Sequence, residues 1–249
     1  MKNSLPVLFL IALGFTSCKK NKEPVNGGST PVDFVTTEYS YLGEYDDQGR
    51  PKYLVDKDVI SSQLLSFVKN NLPELSDIRN THPEFLKNAD LAIKAKSDVY
   101  ITFVAEGTGY TNSVGYYLYK TGSSPKKPED IENIVYMFPH AQSNNGGTLK
   151  PGDKIKLGTF ESGMSIGFVL LQKGWDATTK KVNDKAPHFC SNKELNPENY
   201  DELKPHTVLF EYPEENKVII GFEDINRTMP ECDHDFNDIV IYATVNPVQ

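Results

Sequence analysis

From Lys96 to the carboxyl end the chain carries apolar residues at a spacing of two and no long stretch at helical spacing. A chain patterned this way cannot build a parallel α/β sheet, whose strands need helical crossovers. In "SDVYITFVAEG", Val99, Ile101 and Phe103 alternate with polar neighbours, which predicts a half-buried strand. "SVGYYLYKTG", "DKIKLGTF", "MSIGFVLLQKGW", "HTVLFEYP", "NKVIIGFED" and "DIVIYATVNP" follow, separated by loops rich in Gly, Pro, Asn and Ser. Within them "GFVLL" and "IVIYATV" are almost wholly apolar, as central strands covered on both faces would be. "LFEYPEENKVII" reads as a hairpin with a polar tip. About seven strands without long helices predict a mostly β domain, an antiparallel β-sandwich over residues 96–249.

Residues 38–95 read as a small α+β part. "EYSYLGEYDDQGRPKYLV" holds two aromatic-rich runs around "DDQGR", the mark of a hairpin. Ile60, Leu64, Phe67, Val68 and Leu72 then recur at helical spacing, with Asp58 as the expected cap and Pro73 as the stop. A second short helix is expected in "HPEFLKNADL".

The amino-terminal end predicts an address. Lys2 precedes the apolar run "LPVLFLIALGF", which is shorter than the roughly 20 residues a membrane-spanning helix needs. It reads as a cleavable signal. With small residues and Cys18 directly after it, the segment resembles a bacterial lipoprotein signal. Residues 1–17 would then be the signal peptide and Cys18 the lipidated residue, and residues 18–37 a polar tether. An ordinary secretory signal is the alternative. Lipidation would hold the body in the bacterial cell envelope, on the outer membrane or cell surface. A formal charge of -8 disfavours nucleic acid or an anionic membrane surface as a partner, since both demand a basic face. Beyond Cys18, Cys190 and Cys232 form an even pair in a compartment that permits disulfides. A bridge and two buried thiols both remain open.

The stretch "GFEDINRTMPECDHDFND" concentrates Glu223, Asp224, Glu231, Asp233, Asp235 and Asp238 around one fixed cation, Arg227. It joins two expected strands, so these acids gather at one end of the sheet. Crowded oxygen donors suit Ca²⁺, which takes about 6–8 oxygens, better than Mg²⁺ with its stricter octahedron. Zn²⁺ would prefer His and Cys ligands. Asp233-x-Asp235-x-Asn237 imitates the start of an EF-hand loop, but Asp238 and Thr244 stand where that loop needs Gly and Glu. The expected ligands are therefore Asp233, Asp235 and Asp238, supported by Asn237, Glu223 and Asp224. A solvated acidic loop with Asx-turns is the plain alternative.

"VYITFVAEGTGYTNSVGYYLY", "HTVLFEY", "VIIGFEDI" and "DHDFNDIVIYATV", in this order, resemble a bacterial domain-of-unknown-function family. That family occurs near the C-terminus of secreted and lipid-anchored proteins, including those of LruC type. Its signature is matched by Glu106, Tyr110, Asn112, Gly115 and Tyr117, then Gly221, Glu223 and Asp224, then Asp233, Asp235, Phe236, Asn237 and Asp238. The resemblance spans about residues 97–246. It implies a jelly-roll-like sandwich and calcium, and no defined activity. It also suggests that Glu106 and Asn112 close on the same metal site.

Other motifs carry less. "GMSIG" fits the serine-hydrolase pattern, but Ser165 leads into a strand where that motif needs a helix. Acids crowded on one loop share one environment, unlike the opposed pair of a glycan hydrolase. His140, His188 and His206 have no ligand spacing. The expectation is a lipid-anchored, calcium-stabilised module with a non-catalytic role in binding, adhesion or surface assembly. Its partner would be a glycan or another envelope protein. A carbohydrate-binding module and a calcium-dependent glycan hydrolase are the alternatives.

Overall fold

The computed structural model describes residues 28–87 and 90–248; the signal segment and Cys18 lie outside the described residues. Two six-stranded sheets pack face to face. One runs β1 (Glu38–Tyr41), β6 (Asn133–Phe138), β5 (Ser113–Lys120), β8 (Met164–Leu171), β11 (His188–Cys190), and β3 (Leu91–Ala92) also pairs with β8. The other runs β12 (Thr207–Tyr212), β13 (Lys217–Phe222), β14 (Ile239–Pro247), β4 (Ser97–Glu106), β7 (Lys154–Phe160), β2 (Leu54–Val55). A small ribbon, β9 (Trp175–Asp176) with β10 (Lys181–Val182), stands beside them. The named strands pair antiparallel except β1 with β6, which run parallel.

The β-sandwich expected from the alternation is thus the fold, and its apolar runs have the predicted cause. From β14, Ile239, Ile241 and Ala243 enter the core between the sheets, while Val240 and Tyr242 lie in a second core on the outer face. Helix α1 (Ser62–Asn71) covers that outer face with Leu64 and Val68, and Leu72 follows at its end. In β8, Ile166, Phe168 and Leu170 face inward, and Val169 and Leu171 face a third core rich in tyrosine. Each strand is buried on both sides, so neither run has room for polar residues.

Several local expectations need correction. Ser61, not Asp58, caps α1: its hydroxyl accepts from Leu64 N at 3.0 Å. Asp58 instead takes Lys154 Nζ at 2.7 Å and the Thr102 and Tyr242 hydroxyls. The helix expected in "HPEFLKNADL" is only a 3-10 turn over Pro83–Lys87, and a short α2 (Ile78–Thr81) precedes that stretch. The turn in "DDQGR" forms, with Asp46 Oδ1 accepting from Gln48 N and Arg50 N and Gly49 at φ +77°. The hairpin is short: Tyr45 bridges Pro51 antiparallel, with Asp46 N donating to Arg50 O and Lys52 N to Glu44 O, both at 2.9 Å, and the runs then diverge, β1 into one sheet and β2 into the other. Tyr39 stacks on Tyr136 and Tyr41 meets the same ring at a tilt of 56°, while Leu54 packs on the inter-sheet core, so the chain changes layer at this corner. Residues 38–95 therefore form edges and covering of the same sandwich.

The tether is also docked sooner than expected. Thr30 N donates to Pro197 O at 2.7 Å, Asn199 N to Gly28 O at 3.1 Å, and the Phe34 ring stacks on His188 at 4.4 Å. Cys190 and Cys232 are free and buried. Each has its own surroundings: Cys190 lies in the third core, and Cys232 Sγ sits 3.1 Å from His234 Nδ1. Ser165 is wholly buried within β8, its hydroxyl 2.9 Å from that of Thr121, and so offers no exposed nucleophile.

Candidate metal centre

The acidic stretch leaves β13 at Phe222 and enters β14 at Ile239, neighbouring strands of one sheet. Its path is fixed by Phe236, wholly buried beneath α1, with the Arg227 guanidinium 4.9 Å over its ring. His234 and Phe236 both adopt left-handed backbone, φ 63° and 58°. That conformation is costly without a glycine and persists only where surrounding contacts over-determine it. Between them, Asp235 is held on both oxygens. Oδ1 accepts from Asn237 N at 3.1 Å; Oδ2 accepts from Leu75 N at 2.9 Å and Asn237 Nδ2 at 3.0 Å. Ile78 N donates to His234 O at 3.1 Å, so the loop is stitched to the segment between α1 and α2.

Gly221 makes this crossing possible. A Cβ there would lie 2.4 Å from Phe236 O and 2.8 Å from Leu72 Cδ1. Gly221→Ala is expected to destabilise the protein by about 1–3 kcal/mol through overpacking against backbone. Denaturant unfolding reads this directly; a change of only a few tenths would mean that the loop does not press on β13.

The stitching brings Glu74 to the acidic loop, with one carboxylate oxygen each from Glu74, Asp233 and Asp235 within 4.8 Å of one another. Glu74 carried no motif signal beyond its place after Pro73, and sequence reading passed over it. Deeper in, Asp238 Oδ2 accepts from Asp224 N at 2.8 Å, and Asp224 Oδ2 from Asn112 Nδ2 at 2.5 Å. Asn112 Oδ1 accepts from Lys173 N at 2.9 Å, so Asn112 does reach the acidic site, as a brace. Glu106 does not reach it in the same way; its Oε1 accepts from Ser143 Oγ at 3.0 Å and Asn144 Nδ2 at 2.6 Å.

Among the described residues, none of Glu223, Asp224, Asp233, Asp235 and Asp238 pairs with a lysine or arginine. Arg227, 2% exposed, directs its hydrogen bonds elsewhere: Nη1 donates to Pro205 O at 2.5 Å, Nε to His234 Nδ1 at 3.2 Å, and its backbone N to Glu198 Oε1 at 3.0 Å, while Nη2 is buried without a hydrogen-bond partner and the charge still acts on Glu223. Burial, and then Asp233, push the Glu223 carboxyl up to about 8. Burial, and then Asp224 and Glu223, push Asp238 up to about 10. Asp235 is raised to about 6, chiefly by burial, and Asp224 is raised for the same reason. Glu223 Oε2 and Asp224 Oδ1 are buried without any hydrogen-bond partner.

Orphaned carboxylate oxygens beside an all-oxygen triad fit a hard divalent cation. The nitrogen and sulfur groups do not favour a softer one, because His234 Nδ1 is engaged by Arg227 and Cys232. Residues 160–246 match the family model of a domain of unknown function, DUF4114. The DUF4114 match covers β8 to β14 and the whole acidic loop, whereas Glu106, Asn112 and Glu74 lie before it. No curated protein and no solved structure matches the chain.

Proposed function

We propose that the acidic end of the sandwich binds Ca²⁺ and that the protein is a calcium-stabilised, non-catalytic binding or surface-assembly module, lipid-anchored to the bacterial cell envelope through Cys18. The observation that carries this reading is the pair of buried oxygens without a hydrogen-bond partner, Glu223 Oε2 and Asp224 Oδ1, in a cluster of five acids where Arg227 is the one cation that acts on Glu223 and makes no salt bridge to it among the described residues. Glu74, Asp233 and Asp235 supply the outer ligands; Glu223, Asp224 and Asp238 lie behind them, and Asn237 and Asn112 orient the carboxylates. An ion there ties the α1–α2 connection to the loop before β14, so it stabilises the folded state by mass action. The lipid anchor rests on the signal-like segment ending at Cys18, and the surface role on the resemblance to modules of secreted and lipid-anchored proteins.

A carbohydrate-binding role is the second reading. It draws on a groove of about 690 Å³ beside the loop, lined by Phe34, Tyr39 and His188 with Gln172 and Asn226. Calorimetric titration with Ca²⁺ tests the metal proposal. Saturable binding, weakened at least about tenfold by Asp235→Ala, is expected. Absence of any calcium heat together with absence of terbium binding would overturn it.

A further inference from the structure

Three carboxylates do not fill a calcium shell, which takes about 6–8 oxygens. Of the triad, Glu74 is exposed and Asp233 half-buried, and they open the cluster to solvent above the buried Asp235; Glu223 and Asp224 are closed in. An ion held there keeps positions for oxygens supplied from outside. The loops that carry the triad also present apolar groups to solvent. Leu75, directly after Glu74, is 75% exposed, and Met229, within the acidic loop, is 48% exposed. Leu75 is held outward at φ 58°, its N–H bound to Asp235, so calcium ligand and apolar tip form one unit. Exposed apolar tips beside an open cation site suit a surface with both phosphate oxygens and hydrocarbon.

The described residues begin near the same end. Gly28 and Thr30 pair with Pro197 and Asn199. Between these, the Glu198 carboxylate accepts from Arg227 N at 3.0 Å, at the base of the acidic loop. Tyr200, next to Asn199, is 44% exposed. Cys18 stands ten positions before Gly28, a reach of at most about 35 Å. A body tethered at this end is held with its metal loops near whatever the tether is fixed to.

We infer that the calcium end of the sandwich is a membrane-docking face. Ca²⁺ held by Glu74, Asp233 and Asp235 bridges to phosphate oxygens of an anionic phospholipid bilayer, while Leu75 and Met229 enter its interface. The inference rests on the calcium reading above. Charge gives the cation a role: the whole chain carries a formal charge of -8, and its acidic loop is repelled by anionic headgroups unless an ion intervenes.

The test is vesicle co-sedimentation of the chain from Lys19 onward, which keeps every described residue and carries no acyl chain. Vesicles of phosphatidylcholine with phosphatidylglycerol should retain the protein in Ca²⁺ but not in chelator, and vesicles of phosphatidylcholine alone should not. The double variant Leu75→Asn, Met229→Gln should lose at least about tenfold in vesicle affinity. It should keep its calcium-induced rise in melting temperature, since Asn tolerates the left-handed backbone at position 75. If the wild-type chain responds thermally to Ca²⁺ yet stays off the anionic vesicles, the docking inference fails and the calcium reading stands. Equal vesicle binding in Ca²⁺ and chelator, or unchanged binding of the double variant, also overturns it. If no calcium response of either kind occurs, both readings fall together.

Discussion

Arg227→Ala is expected to destabilise the protein by about 3–5 kcal/mol, as loss of one member of a buried charged network does. The side chain is 2% exposed and ties together three parts of the chain. Its guanidinium caps Phe236 at 4.9 Å, bonds Pro205 O ahead of β12, and meets His234 in the acidic loop. Alanine leaves buried carbonyls without their donor and removes the only fixed cation within the stretch 221–238. Arg227→Lys should recover little, because one ammonium group cannot reproduce a planar fork spread over several acceptors. Chemical denaturation of both variants reads the effect. A loss under about 1 kcal/mol in alanine would place Arg227 among ordinary surface cations.

How much of this was legible beforehand follows from the range of each signal. Strand alternation is local, so β4, β5, β7, β8, β12, β13 and β14 could be read from their own residues. "NIVYMF", which forms β6, was not assigned to a strand although it lies at the centre of the tyrosine-rich core with Tyr136. The parallel pairing of β1 with β6 left no trace, since register is set by partners far along the chain. The acidic loop was visible as charge density. Its partner Glu74 was not, because it arrives only when α1 folds over Phe236 and Leu75 N bonds Asp235, 160 positions away. Glu106 lies opposite Ile239 at the end of the acidic loop, and its Oε1 is taken up by another loop. Its partners there are Ser143 Oγ and Asn144 Nδ2, in a loop that no local pattern ties to this strand end.

The metal-free protein should be more stable at pH 5 than at pH 8. Glu223 and Asp235 are raised in the folded chain to about 8 and about 6, and Asp238 to about 10. In the unfolded chain such groups titrate near about 4. Between these limits the folded state holds more protons, so its stability falls as pH rises. Calcium reverses the trend, because it binds the deprotonated carboxylates and displaces those protons. The calcium-induced rise in melting temperature should therefore grow from pH 5 to pH 8. At a Ca²⁺ concentration a hundred times the dissociation constant, binding adds about 2.7 kcal/mol. For a body of this size that corresponds to roughly 5–10 °C.

The decisive measurement is thermal unfolding at pH 8 in chelator, then in Ca²⁺, then in Mg²⁺, for the wild-type chain and for Asp233→Ala and Asp235→Ala. The calcium account predicts a rise of roughly 5–10 °C in Ca²⁺, little response to Mg²⁺, and loss of the rise in both variants. Melting curves that superimpose in all three solutions would contradict it and leave the acidic loop without a metal.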